Sequence, residues 1–148
     1  MSAMQTEASE WIAKAEGDCV VAFREYRARR NPNYDDVCFH AQQCIEKYLK
    51  AALVSKGRTV RRIHDLTVLL KDCAQDFPLW TLLSRDVDML SQYAVLFRYP
   101  GETATKERAR RSVEAMRRCR EEIRDGLALP ATAGAKRRRK NRAIRRYH

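Results

Sequence analysis

Residues 40–57, HAQQCIEKYLKAALVSKG, decide the fold class because their apolar side chains recur at helical spacing. At about 100° per residue, one broad face of this helix is apolar. Together with Val37, that face comprises Ala41, Cys44, Ile45, Tyr48, Leu49, Ala52 and Leu53. Asn33 is placed to cap the helix, and Gly57 suits the position after its end. The stretch therefore predicts a long helix with a buried face that ends at Lys56.

A polar strip borders the apolar face of this helix. His40, Gln43 and Lys47 lie at positions i, i+3 and i+7, just outside the apolar arc. Long polar side chains can simply cover the edge of a core, which is one interpretation. The other is that the strip faces a partner subunit or a ligand groove. Helical geometry alone leaves both open.

Four other segments share this periodicity, so the chain is expected to be helical throughout its domain. The five predicted helices cover about residues 7–29, 33–56, 65–73, 78–99 and 103–127. Asp65 is a cap for the third helix, and Pro78 suits the first turn of the fourth. The Pro-Gly pair at residues 100–101 ends that helix. Five amphipathic helices with short connections predict an all-α, up-and-down helical bundle.

The composition is typical of a globular domain. Of 148 residues, 45% are apolar and 33% are charged, and five glycines with four prolines leave little room for a turn-rich β fold. No run of about 18 apolar residues occurs, so no transmembrane helix is expected. The first residues, MSAMQTEASE, lack the layout of a signal peptide. We therefore expect a cytoplasmic protein without membrane contact.

Five cysteines, an odd number without a C-x-x-C pair, lie in the predicted helices. A free thiol in a helix behaves as a small apolar residue. A metal centre would need clustered thiolates or histidines. We expect free, buried thiols with no metal and no cofactor, and keep a metal or redox role as the alternative.

The net charge of +11 is concentrated at the C-terminus. Residues 131–148 contain eight Lys or Arg and no acid, which leaves 22 basic and 19 acidic side chains, or +3, for residues 1–130. We predict a helical domain over residues 5–128 and a basic, disordered tail over residues 129–148. The tail either adds sequence-independent affinity for nucleic acid or is solvated without a role.

Two other short strings contain candidate ligand-binding residues. In RRIHDLTVLL (residues 61–70), His64 comes just before a helix start, where backbone amides and the helix dipole suit an anion. In YAVLFRYPGE (residues 93–102), Arg98 and Tyr99 stand at a helix end before a rigid turn. Such a pair can contact a phosphate or a base. The simpler interpretation is that Arg98 holds the last carbonyls of its helix.

Taken in order, HAQQCIEKYLKAALVSKG, IHDLTVLL and YAVLFRYPGE resemble the HEPN domain family, and the resemblance covers about residues 5–127. It implies a bundle of four or five helices that is usually a homodimer. Such domains are often encoded beside a minimal nucleotidyltransferase, in pairs that resemble toxin–antitoxin systems. Many members are metal-independent ribonucleases, whose Arg and His, with four to six residues between them, act where the two copies meet at the dimer interface. Others, including the domain at the end of sacsin, resemble nucleotide- or RNA-binding modules without cleavage.

The chain departs from the ribonuclease pattern. Arg98 stands where the family's arginine falls, but residues 103–105 are Thr-Ala-Thr, so the expected histidine is missing. Arg58 and His64 do have the nuclease spacing, with five residues between them. Because they fall in the loop between the second and third predicted helices, we interpret that match as chance.

These observations leave three hypotheses for function. The first is a HEPN-type nucleotide- or RNA-binding module that serves a minimal nucleotidyltransferase and cleaves nothing. The second is a ribonuclease toxin that combines Arg98 with a distant histidine, His64 or His40. The third is a helical dimerisation protein without a ligand. We favour the first, and assign no catalytic residue. The predicted ligand site consists of His64, Arg98 and Tyr99, with Lys47, Gln43 and His40 as a second set.

Overall fold

The computed structural model describes residues 2–146, without the side chains of residues 135, 144 and 146. It contains six α-helices and one 3₁₀ helix, and residues 2–146 include no β-strand. The bounds are α1 Ala3–Tyr26, α2 Tyr34–Ser55, α3 Leu66–Ala74, the 3₁₀ helix Pro78–Leu83, α4 Ser84–Leu96, α5 Lys106–Gly126 and α6 Ala133–Arg146. The prediction of an all-α helical bundle is confirmed.

Helix α2 lies at the centre of the bundle. It packs against α1, α3, α4 and α5, and its pairing with α1 is the most extensive in the molecule. The predicted apolar face is buried, and its largest members are Ile45, Tyr48, Leu49 and Leu53. Burying an aliphatic or aromatic side chain stabilises the fold by about 1.5–3 kcal/mol. The opening stretch therefore supplies the core around which the other helices assemble.

The ends of the helices follow the predicted caps. Asn33 Oδ1 accepts a hydrogen bond from the Asp36 amide at 3.1 Å, and Asp65 Oδ1 accepts one from the Thr67 amide at 2.9 Å. Gly57, after α2, has φ +67°, a value that favours glycine. These predicted caps are confirmed.

Helix α1 starts and ends earlier than predicted. Ser2 Oγ accepts from the Gln5 amide at 3.1 Å, and Gln5 Oε1 accepts from the Ser2 amide at 2.8 Å. This reciprocal capping box starts the helix at Ala3, not at residue 7. At the other end, α1 stops at Tyr26 rather than residue 29.

The fourth predicted helix is split. Residues Pro78–Leu83 form a 3₁₀ helix, and the α-helix begins only at Ser84. With three residues per turn, positions 79 and 82 fall on one side, and Leu79 and Leu82 are 76% and 83% exposed. The prediction of one continuous helix over residues 78–99 was therefore wrong at its start. Trp80 points inward instead and stacks on Phe77, with ring centroids 4.0 Å apart.

All five cysteines are free and buried, as expected for core thiols. Burial raises the pKa of the Cys73 thiol to about 12, which keeps it protonated and unreactive. In the part of the chain that the structure describes, no helix is long and apolar enough to cross a bilayer.

The C-terminal segment is helical where the sequence analysis expected disorder from residue 129. Helix α6 lies beside the end of α5, because Arg138 pairs with Glu121, and Arg139 Nη2 lies 3.5 Å from Asp125 Oδ1. Alanine, lysine and arginine also have high helix propensity. Tyr147 and His148, the last residues of the predicted tail, lie outside the described residues.

Candidate functional site

A groove of about 800 Å³ runs between α2, the start of α3 and the second half of α4. His64, Arg98 and Tyr99 all line it, so the fold brings together the three residues of the first predicted set. We call this depression the His64/Arg98 groove. Its volume is within the range of small-molecule sites.

A second depression, of about 470 Å³, lies between α1, α2 and residues 127–129. Its described lining is apolar or uncharged and includes Met4, Ile12 and Leu129. Without a charged group, that lining offers little to an anionic ligand. Of these two depressions the His64/Arg98 groove is the better candidate for an anionic ligand, and it is the one that contains the predicted residues.

His64 is held by a buried carboxylate. Its Nδ1 lies 2.6 Å from Glu46 Oε1, and Glu46 is 2% exposed. Lys50 Nζ lies 3.6 Å from the same oxygen, and Gln42 Nε2 donates to the His64 carbonyl at 3.2 Å. The histidine side chain is itself 79% exposed. The imidazole is thus oriented through Nδ1, while its outer edge faces the groove and solvent.

Arg98 lies between the groove and a neighbouring depression that Phe39, Asp35 and Asp36 also line. Its guanidinium carbon lies 5.5 Å from the centroid of the Phe39 ring, a cation–π contact that orients the side chain. Within residues 2–146, no carboxylate lies within 4 Å of it, and its guanidinium donates no hydrogen bond to a carbonyl. The last carbonyls of α4 accept hydrogen bonds from backbone amides instead. For example, the Arg98 amide donates to the Val95 carbonyl at 3.2 Å. The simpler interpretation of Arg98 as a helix cap therefore does not hold here.

The rest of the groove is partly apolar and partly acidic. Tyr99 is 63% exposed, and Val95 and Leu96 beside it are also exposed. Asp65 and Asp88 line the groove too, and Asp88 Oδ1 accepts from Thr67 Oγ1 at 2.8 Å. The groove thus has a basic, aromatic end formed by residues 98–99 and an acidic side at the start of α3.

One polar atom in the groove wall has no partner. Ser91 Oγ is buried and makes no hydrogen bond to any of residues 2–146. Buried hydroxyls are normally paired, and an unpaired one calls for a water or ligand group.

The second predicted set lies elsewhere. His40 Nδ1 is 2.8 Å from Asp18 Oδ1, and Lys47 pairs with the other oxygen of the same carboxylate. Gln43 Nε2 donates to Gln42 Oε1 at 2.8 Å. Asp18, on α1, is 9% exposed. His40 and Lys47 therefore join α2 to α1, and none of the three residues of the strip lines the His64/Arg98 groove.

Arg58 takes no part in the groove either. It makes two hydrogen bonds to Asp76, through Nε at 2.5 Å and Nη2 at 3.2 Å. Asp76 follows α3, whereas His64 precedes it. The nuclease-like spacing of Arg58 and His64 is therefore not matched by a shared site, which agrees with the interpretation of chance.

Two functional features were missed by the sequence analysis. Glu46, the carboxylate that holds His64, was assigned no role from the sequence. Its spacing of 18 residues from His64 spans a loop, so no helical periodicity links the two. The second is Asp18 on α1, which pairs with His40 and Lys47. Nothing in the sequence around Asp18 indicates this role, apart from its being a polar residue between apolar positions.

The family model of the HEPN domain matches residues 8–126, most of the helical bundle. The chain belongs to the HEPN domain family. HEPN domains often dimerise and bind RNA, which supports a nucleotide- or RNA-related module in general. No curated protein matches the sequence.

A solved structure has the same HEPN-type fold as this chain. The crystal structure of TT1696 from Thermus thermophilus superimposes with a TM-score of 0.71 at 20% sequence identity. The alignment covers 81% of this chain and 98% of the other. At that identity the likeness shows the fold alone.

Proposed function

We propose that this HEPN domain binds a nucleotide or RNA in the His64/Arg98 groove, without cleaving it. The observation that carries the proposal is the unpaired Arg98 beside the exposed Tyr99. A guanidinium presents its donors in a planar fork that matches a phosphate. A base stacked on an aromatic ring gains about 1–3 kcal/mol. A nucleotide with its phosphate at Arg98 and its base stacked on Tyr99 would make both interactions.

The charges of the groove orient the ligand. Asp65 and Asp88 repel a phosphate from the start of α3, so the phosphate belongs at the end formed by residues 98–99. Neutral hydrogen-bond donors suit the acidic side, where ribose hydroxyls or base amino groups can donate to Asp88. His64 offers its outer nitrogen to the same part of the ligand.

The test is a calorimetric titration of ATP and of a short RNA into the wild type and Arg98→Ala. Loss of charged hydrogen bonds predicts binding weakened by about 10- to 100-fold. Arg85→Ala is the matched control, because Arg85 is an exposed arginine near the start of α4 and does not line the groove. Equal affinity of wild type and Arg98→Ala, or equal losses in both variants, would overturn the proposal.

The proposal extends to partners and location. We infer a homodimer that acts as the accessory or antitoxin-type partner of a minimal nucleotidyltransferase in the cytoplasm. The exposed apolar end of α4 supports self-association, and five free thiols suit a reducing compartment. Co-expression with a nucleotidyltransferase encoded beside this gene, followed by co-purification, tests the partnership. Separate elution of the two proteins would refute it.

A ribonuclease is the second candidate, and the Glu46–His64 pair favours it. A carboxylate-held imidazole in the same groove as Arg98 can take the proton of a ribose 2′-hydroxyl. The 2′-oxygen then attacks the adjacent phosphorus, the bond to the 5′-oxygen breaks, and a 2′,3′-cyclic phosphate forms. The leaving 5′-oxygen takes up a proton, and Arg98 balances the charge of the phosphorane.

End-labelled RNA incubated with the protein and a metal chelator separates the two candidates. The binding proposal predicts intact RNA with the wild type. Cyclic-phosphate products that disappear in His64→Ala and in Arg98→Ala would establish the ribonuclease instead.

A further inference from the structure

The arginines of α5 all make contacts within the domain. Each is held by an acid or covers an aromatic ring. Glu107 pairs with Arg110 and Arg111, Glu114 with Arg117, Asp86 with Arg118, and Glu16 with Arg120 and Arg124, while Arg108 lies over Tyr93 and Phe97. The arginines of this helix are therefore engaged in contacts within the domain and are less available to bind a polyanion.

Helix α6 differs from α5 in this respect. Of its described side chains, only Arg138 and Arg139 have a carboxylate partner, Glu121 and Asp125 respectively. The free α6 cations are those without an acidic partner among residues 2–146, namely Lys136, Arg137, Lys140, Arg142 and Arg145. All five are exposed. Helix α6 therefore concentrates five exposed cations that no acid balances among the described residues.

The start of α6 is fixed to the core. Arg124 donates to the Pro130 carbonyl through Nε at 3.2 Å and Nη2 at 2.9 Å. Its Nη1 bonds Glu16 Oε1 at 2.8 Å and the Tyr48 hydroxyl at 2.9 Å. Tyr48, which is fully buried, and Glu16 of α1 therefore position Arg124. Arg124 in turn fixes Pro130, three residues before the start of α6. The free α6 cations project from a fixed point.

The spacing of these cations suits a nucleic-acid backbone. Fourteen residues of helix extend about 21 Å. At about 3.4 Å per phosphate along one strand, that length spans roughly six phosphates. Positions 136, 137, 140, 142 and 145 also point around most of the helix circumference. A helix that lies on a membrane needs one wide apolar face, which α6 lacks among its described side chains.

We infer that α6 is a second polynucleotide-binding element, which holds the backbone phosphates of RNA irrespective of base sequence. It lies on α5, and no described residue of α5 or α6 lines the His64/Arg98 groove. A mononucleotide engages only the groove, whereas a long RNA also contacts α6. The inference goes beyond the proposed function and stands without it, because α6 needs no occupied groove.

Fluorescence anisotropy on the full chain tests this inference with two RNAs of unrelated sequence. The test variant replaces all five free α6 cations: K136Q, R137Q, K140Q, R142Q and R145Q. The matched control removes the same charge from exposed, unpaired positions elsewhere among residues 2–146: K14Q, R29Q, R30Q, K71Q and R85Q. Circular dichroism and thermal melting establish that both variants stay folded.

The wild type and the control should bind both RNAs with a steep salt dependence. If all five cations contact phosphates, the test variant loses about 3.5 from the slope of log K against log salt. The wild type then loses about 100-fold more affinity than the test variant between about 50 and 200 mM salt. ATP binding should be the same in both variants. If neither the wild type nor either variant binds ATP, the groove proposal is refuted and the inference about α6 is not.

Three results would overturn the inference. An unchanged RNA affinity and salt slope in the test variant would show that α6 contacts no RNA. Equal losses in the test variant and the control would show that only net charge matters. Binding to vesicles of phosphatidylserine and phosphatidylcholine as tight as to RNA, lost in the test variant, would assign α6 to membranes.

Discussion

At the scale of single residues, Glu16 joins more of the fold than any position suggested by the sequence. Its carboxylate accepts from Tyr48 of α2 and from Arg120 and Arg124 of α5. Burial opposes ionisation of this carboxyl, but the hydrogen bonds from Arg120 and Tyr48 outweigh it and lower the pKa of Glu16. Three helices therefore depend on one negative charge.

The lowered pKa of Glu16 makes part of the stability depend on pH. The unfolded chain, where the carboxyl has its ordinary value of 4.5, binds the proton more readily than the folded chain. The contribution is therefore complete above that pH and is lost as the pH falls through the folded pKa. Urea unfolding of the wild type should show this loss in acid. Glu16→Gln should show a smaller acid loss and be less stable at pH 7 by about 1–3 kcal/mol.

Glu122→Gln is the control for this prediction, because Glu122 is exposed on α5 and has no ion pair within residues 2–146. It should behave as the wild type at every pH. An acid dependence that is the same in Glu16→Gln and in the wild type would show that Glu16 is not the group responsible.

At the scale of helices and loops, local signals were predictable and long-range partners were not. Asn33, Asp65 and Gly57 act within a few residues of their position, so the sequence predicted their roles correctly. The partner of His40 and Lys47 is Asp18, 22 and 29 residues away on another helix. The position of His40 and Lys47 on α2 was predicted. Their partner depends on how α1 packs along α2, which the local sequence does not determine.

The 3₁₀ helix was not predictable for a related reason. Leu79 and Leu83 are spaced like neighbours in an α-helix, and Pro78 suits either type of helix start. The choice is made by Trp80, which is 4% exposed and fills the space between Phe77 and Gly126. That tertiary contact lies beyond the reach of periodicity.

The contact between Trp80 and Gly126 gives a prediction for the junction of the 3₁₀ helix and α5. A Cβ atom at residue 126 would lie 2.6 Å from Trp80 Cζ2, so Gly126→Ala forces the ring to move. Overpacking of this kind costs about 1–3 kcal/mol. Thermal or urea unfolding should show this loss of stability.

Gly17→Ala is the matched control, since no atom lies within 4 Å of a Cβ there. Gly17 is in the middle of α1, where alanine should stabilise the helix by about 0.5–1 kcal/mol. Opposite signs for the two substitutions are expected. If Gly126→Ala is as stable as Gly17→Ala, the tight contact does not exist.

At the scale of the whole molecule, the bundle assembles the candidate groove from segments far apart in sequence. His64, Arg98 and Tyr99 are recognisable as candidates in the sequence because each stands at a predicted helix terminus. Their shared groove depends on the packing of α3 beside α4, which periodicity does not predict. Glu46 entered the site only with the three-dimensional structure.

The exposed apolar end of α4 leads us to predict a homodimer. Val95 is 54% exposed and Leu96 36%, and they lie together at the edge of the His64/Arg98 groove. Contiguous exposed apolar surface often marks an interface. Sedimentation at micromolar concentration should give about twice the 17.3 kDa of one chain.

Val95→Asp should dissociate this dimer, because it would bury a charge at the interface. Leu82→Asp is the control: Leu82 is 83% exposed on the 3₁₀ helix, away from that surface, and its change should leave the dimer intact. A wild-type protein that sediments only at 17.3 kDa would remove the dimer prediction.

The central claim is that nucleotide or RNA binds at the His64/Arg98 groove, and amide chemical shifts of ¹⁵N-labelled protein test it most directly. Titration with ATP, and separately with a short RNA, should shift the signals of His64, Arg98 and Tyr99 in a saturable manner. The signals of Asp18, His40 and Lys47, which lie at the contact of α1 with α2, should stay in place. Saturable shifts at the second set with none at the first would contradict the account, and so would the absence of shifts at both.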